Sequence, residues 1–326
     1  MENIDLYFNE AAHTYVDNRG FKYTSMTTVI GKYEEKFDTK VKAVGVTRKK
    51  ASQYYGWTPA KVIKHWEELN RKSLIKGNRV HNWLEDSVKK ASGYNLIDNT
   101  YINDKIYTVN TMDFNKGVGQ LDLDFFVRIG VADKYPRIFR VIELLVSQGY
   151  LIFSEIGIFD PEKLVSGLID VLFMNPTTKR FIILDWKTNK HELIPFQDET
   201  YKWISGYFKK DKFGNITRKF IQTNQFFKAP LNKYQQSHYM IYALQLSGYA
   251  HLVEKLGYTL DSIILAHIRE EHTYNSEDIE VSRMPNLLGK TRTDLVPINY
   301  LKNDVEAMFQ HHFENTTENL QATLIQ

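Results

Sequence analysis

Apolar positions along the chain follow two periods, and the switch between them falls near residue 150. Before it the spacing is mostly helical. Thr58-Pro59 reads as an N-cap with proline at the first helical position, opening a helix whose buried side carries Val62, Ile63, Trp66 and Leu69. A second helix is predicted from Ser73 to Lys90 with Gly93 as its stop, and a third over residues 135–147. Ahead of these, residues 13–30 read as a short hairpin turning at Asn18-Arg19-Gly20, while residues 94–130 read as a loop with short strands. After the switch, Leu151–Phe159, Leu164–Phe173 and Phe181–Lys187 read as strands, the last two joined by the turn Asn175-Pro176-Thr177-Thr178. A long helix over Tyr234–Leu256, a final strand over Asp261–Arg269 and a last helix over 297–314 with a frayed tail complete the pattern.

Helix, three strands, helix and strand in one block predict an α/β fold with a mixed central sheet flanked by helices. No repeat, low-complexity tract or flexible linker interrupts the chain. Residues 1–326 therefore read as one domain: a helical amino-terminal region to about 150, a core over 150–270 and an extension over 270–326.

Composition excludes several classes. Hydrophobic residues make up 43% and charged residues 25%, as in folded globular chains rather than disordered or fibrous ones. There are no cysteines, which removes disulfides, a thiolate nucleophile, Cys-ligated zinc and an iron–sulfur cluster. No apolar run approaches the ~18 residues of a membrane span. The opening residues lack the basic-then-apolar order of a secretory leader, so a cytoplasmic location is expected. No Gly-rich phosphate loop, Gly-x-Ser-x-Gly elbow or His-Glu-x-x-His site is present.

Charge is informative only once it is mapped. The net charge is +3, yet residues 32–79 hold 13 Lys/Arg against 5 Asp/Glu, and residues 202–233 hold 8 against Asp211 alone. The second stretch also carries Trp203, Tyr207, Phe208, Phe213, Phe220, Phe226 and Phe227. Cations interleaved with aromatics suit a single-stranded nucleic acid, whose phosphates pair while its bases stack. On that reading Lys209, Lys210, Lys212, Arg218, Lys219 and Trp203 are candidate contacts. A solvated hairpin from Phe208 to Phe220, turning at Gly214-Asn215, accounts for the same residues.

Residues 154–189 concentrate the chemistry. Asp185 and Lys187 share one face of a strand, with Trp186 on the other and expected in the core. Asp170 ends an apolar run and sits between Ile169 and Val171, where an unpartnered carboxylate is costly. If the second and third strands form a hairpin, Asp170 and Asp185 come together. A divalent cation relieves their repulsion, and Lys187 then orients or deprotonates a water or offsets phosphate charge. A buried Asp–Lys ion pair at a hairpin end is the plainer alternative.

Glu155, Gly167-x-x-Asp170 and Asp185-Trp186-Lys187-Thr188 together resemble the signature of the PD-(D/E)XK nucleases, in the RecB-like branch that includes phage exonucleases. Lys76-Gly77-Asn78-Arg79-Val80-His81 with Glu85 is similar to that branch's upstream helix, and Tyr242-Ala-Leu-Gln245 through Tyr249 to its downstream helix. His13-x-Tyr15, Ser25–Thr28 and Phe37-Asp38 resemble the amino-terminal segment of phage members. The resemblance covers most of residues 10–270, with 94–150 and 190–233 weakly matched.

The resemblance implies a restriction-endonuclease-like core and a deoxyribonuclease, an exonuclease more than an endonuclease, acting on single-stranded ends in phage replication, recombination or repair. It implies one or two Mg²⁺ or Mn²⁺ ions held by His81, Asp170, Asp185 and the carbonyl of Trp186, with Lys187 positioning water. Glu155, Gln245 and Tyr249 would line the site, and His238 and Tyr239 would reach the same groove. The implied partners are DNA and a recombination or replication protein, without a membrane. A structure-specific endonuclease, an RNA substrate and an inactive nucleic-acid-binding module are the alternatives. Several residues have plainer readings: Glu85 as a partner for Lys89, Glu155 as a solvent-facing strand residue, and Tyr249 as helix packing.

Overall fold

The computed structural model describes residues 4–9, 12, 14–93, 105–114, 118–188, 196–197, 203–204, 206–210, 216–222, 225–270 and 291–324, with the side chains of 196–222, 270 and 316–324 left aside. Strands β1 (Leu6–Asn9), β2 (Thr14–Asp17) and β3 (Lys22–Ser25) form an antiparallel meander. Asp17 organises the β2–β3 turn by accepting hydrogen bonds from the Arg19 and Phe21 amides and from Tyr23 Oη, each 3.0 Å. The predicted hairpin is present but ends early. Ser25 caps helix α1 (Met26–Gly31), accepting from Thr28 N at 3.2 Å, where the pattern suggested continued strand.

Helix α2 (Thr39–Arg48) leads to α3 (Pro59–Ala91). Thr58 caps α3 as read from the sequence, but the two predicted helices are one element of 33 residues. Leu69, assigned to a buried face, is 47% exposed, because α3 meets the core chiefly through Arg79 and the residues beyond it. Three helices follow: α4 (Leu123–Arg128), within the stretch read as loop, α5 (Val131–Lys134) and α6 (Pro136–Ser147).

Then come β4 (Leu151–Asp160), β5 (Val165–Asn175) and β6 (Arg180–Lys187), close to the predicted strands. The 196–222 region holds β7 (Phe196–Gln197) paired with β8 (Trp203–Ile204), and β9 (Gly206–Lys210) paired with β10 (Ile216–Gln222). Phe208 lies opposite Phe220, as the hairpin reading required; its turn, including Lys212, Gly214 and Asn215, lies outside the described residues. Helix α7 (His238–Lys255) is followed by β11 (Thr259–Glu270), which is not the last strand: β12 (Thr291–Ile298) pairs with it before α8 (Lys302–Leu324).

Eight strands make one mixed sheet, ordered β1-β2-β3-β5-β6-β11-β12 with β4 on the other edge of β5. Helices cover both faces. Residues of α1, α7 and α8 pack on Phe181 and Ile183, while α3 and α6 pack on Ile182, Leu184 and Trp186. The alternation along β6 thus divides two apolar cores. Among the described residues, no helix is long and apolar enough to cross a membrane.

One topological detail positions the site. β4 pairs with β5 along its length, so β3 and β6 must share the opposite edge. β3 takes Val165 and Ser166, and β6 takes Val171 to Asn175. Residues 167–170 lie between these two partners, and there the sheet is split.

Candidate active site

The split falls at residues Gly167 to Asp170, and the β5–β6 register places Asp170 opposite Asp185, one step beyond Val171↔Leu184. The hairpin expected from the sequence is therefore formed. Asp170 Oδ2 accepts from the Trp186 amide at 3.2 Å, and Lys187 Nζ lies 2.7 Å from Asp185 Oδ2. The Trp186 ring is buried in the core against α3 and α6, as read.

Glu155 lies opposite Asp170 on the other side of β5, between the pairs Ser154↔Val171 and Ile156↔Ile169. It is not a solvent-facing residue at a strand start. It has φ of +51°, a left-handed conformation that costs a non-glycine residue about 1–2 kcal/mol. The strand faces invert at this point. Phe153 and Ile156 both enter the core against α7, and in β5 Ile169 and Val171 enter opposite cores. A kink across two paired strands thus sets two carboxylates side by side, which a regular alternation would not have foretold.

His81 arrives from α3. That helix approaches β6 through Gly77, where a Cβ would come within 3.0 Å of Thr188 Oγ1. His81 Nε2 is 3.1 Å from Asp170 Oδ2 and 3.5 Å from Glu155 Oε1, and Nδ1 is 3.8 Å from Glu85 Oε2. Glu85 also pairs with Lys89, its plainer reading, while standing beside His81.

The charges are strongly coupled. Burial opposes ionisation of Asp170, but His81 and Lys187 outweigh it and hold this carboxyl down at about 2. Burial, then the charge on Asp170, pushes Asp185 up to about 7 and Glu155 up to about 8. Burial also opposes the His81 cation, yet Asp170, Glu85 and Glu155 raise it to about 11. Burial likewise works against the Lys187 ammonium, which Asp185 and Asp170 hold well above its ordinary range. So held, Lys187 donates hydrogen bonds and carries charge in the metal-free site.

Helix α7 closes the other side. Gln245 Nε2 donates to Tyr249 Oη at 3.0 Å, and the buried Tyr249 ring covers Gly167. The packing reading of Tyr249 is therefore realised, and Gln245 binds the tyrosine rather than a carboxylate. Tyr239 is a core residue. His238 instead stacks on Tyr242, whose ring lies 5.0 Å from Lys187 Nζ. Sequence reasoning gave Tyr242 no role; its position four residues after His238 was the available signal. Tyr15 of β2 is a second unassigned neighbour: burial, then the Glu155 charge, raises its hydroxyl pKa. His13 lies outside the described residues. So do the side chains of Trp203, Lys209, Lys210, Arg218 and Lys219, whose backbones run in β8, β9 and β10.

The donor set suits a divalent cation. His81, Glu85 and Glu155 each offer a ligand atom, all within 4.8 Å of one another. One imidazole and carboxylates accommodate Mn²⁺ and tolerate Mg²⁺. Among the described residues none donates a hydrogen bond to the buried Asp185 Oδ1, an orphan that a cation would satisfy. Comparison of the chain with family models, curated proteins and solved structures finds no match.

Proposed function

We propose that this chain is a metal-dependent nuclease of the PD-(D/E)XK superfamily, in its RecB-like branch, hydrolysing DNA phosphodiesters from free ends. The observation that carries the reading is the convergence of Asp170, Asp185, Lys187 and His81 from β5, β6 and α3 at the split in the sheet. An eight-stranded mixed sheet with helices on both faces is compatible with a restriction-endonuclease-like core. His81, Asp170 and Asp185, with the Trp186 carbonyl, would hold Mg²⁺ or Mn²⁺, and Glu155 and Glu85 would complete a second position. A bound ion supplies Lewis acidity and lowers the pKa of a coordinated water. Lys187, held as an ammonium, positions the attacking water and offsets charge on the phosphate.

The test is incubation of purified protein with linear and circular DNA, single- and double-stranded, in Mg²⁺, Mn²⁺ or EDTA. Metal-dependent cleavage of linear substrates is expected, lost in Asp185→Ala and Lys187→Ala with DNA binding retained. No cleavage in any metal refutes the reading, and cleavage of circles moves it to an endonuclease.

A further inference from the structure

The segment between Tyr33 and Val62 has a single buried residue, Ala43. A stretch that serves no core has little packing reason to hold many aromatics, yet this one does. They are gathered rather than scattered. Tyr54 meets Trp57, His65 and Trp66 edge to face at centroid distances of 5.6–5.8 Å, and Phe37 meets Trp66 at 6.1 Å. Phe37 is 62% exposed and the neighbouring Tyr55 52% exposed. Residues 36–66 carry eight Lys or Arg against the single acid Asp38, and the Lys61 ammonium sits 4.3 Å over the Trp57 ring.

We propose that this arm is a stacking platform for the unpaired bases of a single-stranded nucleic acid, leading it to the Asp170–Asp185 site. The second clause rests on the nuclease reading; the first does not. Flat apolar rings set among cations match a ligand that offers base faces and phosphates together. A duplex hides its base faces and shows only their edges in the grooves. Trp66 and His81 are fifteen residues apart on α3, about 22 Å along the axis and roughly 60° around it. The platform and His81 therefore lie toward one side of the helix, separated by about 6 stacked nucleotides at 3.4 Å each.

The test measures binding of fluorescent oligonucleotides by anisotropy in EDTA, where no metal-dependent cleavage interferes. Phe37→Leu combined with Tyr55→Leu removes two exposed rings, so thermal melting should stay unchanged. Affinity for a 12-nucleotide oligothymidylate should fall about tenfold or more, while the dependence of log affinity on log salt keeps its slope. Tyr55→Phe, which keeps the ring, should bind like the wild type. Lys49→Gln with Lys50→Gln should instead flatten the salt slope, by about 1.4 for two lost phosphate contacts. Unchanged affinity of the ring-less variant, an equal loss for blunt duplex, or tighter binding of polyglutamate than of oligothymidylate would overturn the proposal. Oligouridylate in parallel separates RNA from DNA. Hydrolysis of bis-p-nitrophenyl phosphate, too small to span arm and site, should be untouched by ring loss. If the wild type cleaves nothing but the binding pattern holds, the platform stands and the nuclease reading falls. If it cleaves and ring loss changes nothing, the platform falls alone.

Discussion

Replacing Gly167 by alanine tests the packing that closes the site. Gly167 lies in β5 opposite Ile158, and its φ is outside the left-handed region, so alanine can adopt the backbone. On backbone grounds alone Gly→Ala in a strand stabilises by about 0.5–1 kcal/mol. The new Cβ, however, would lie 2.5 Å from Tyr249 Cε1 and 2.9 Å from its hydroxyl. The ring is 4% exposed and its hydroxyl is held by Gln245, so it has nowhere to swing. Overpacking of this kind costs about 1–3 kcal/mol. The net expectation is destabilisation by about 1–2 kcal/mol, seen as a fall of about 1.5–3 °C in the thermal midpoint of a chain this long. Tyr249→Leu removes the ring at its own cost, and in that background Gly167→Ala should become neutral or stabilising. The coupling in this double-mutant cycle is expected near 2 kcal/mol. If Gly167→Ala is neutral in the wild type, or costs the same in both backgrounds, Tyr249 is not what requires the glycine.

Two other groups make sharp predictions. Glu155 has its pKa raised to about 8 from an ordinary 4.5, so in the metal-free protein its ionisation opposes folding increasingly from pH 4.5 to 8. Glu155→Gln should match the wild type below pH 4.5 and exceed it by on the order of 2–4 kcal/mol at pH 9, while its thermal midpoint responds less to Mn²⁺. Equal pH profiles in denaturant melts would refute this. His312, buried on α8 with Nδ1 3.2 Å from Lys32 Nζ, is held down at about 4 from 6.5 by burial and then by Lys32. Its contribution is fully present above pH 6.5 and lost as pH falls to 4, about 2–3 kcal/mol, and His312→Gln should flatten that part of the profile.

What could be read from the sequence depended on whether local pattern or long-range pairing decided it. The strands of the core and the Thr58 cap followed from period and end signals, and Asp170 met Asp185 because a hairpin between adjacent strands leaves little choice of partner. The continuity of α3 was missed because its Asn70–Ser73 stretch looks like a break, while the helix there is an exposed element that answers to no core. β12 and α4 were missed because their pairing and packing are set by β11 and α3, not by their own pattern. The kink at Glu155 was beyond reach, since a left-handed glutamate contradicts every local preference and is paid for by the surrounding sheet.

That kink links fold to chemistry. Three carboxylates, Glu155, Asp170 and Asp185, follow one another across the strands β4, β5 and β6, and directly opposed like charges weaken a sheet. Only Asp170 is well compensated, by His81, Lys187 and the Trp186 amide; Asp185 and Glu155 have raised pKa values. A strand core selected for stability alone would place apolar residues there, as it does one step away at Ile156, Ile169, Val171 and Leu184. Asp170 sits where the sheet is split, paired with neither β3 nor β6, and Glu155 and Asp185 flank it, so a ligand entering at the split would meet them without breaking a ladder. Strain, like-charge pairing and an orphan acceptor at a single opening are the features expected of a site whose partner is a cation and whose stability is completed by binding it.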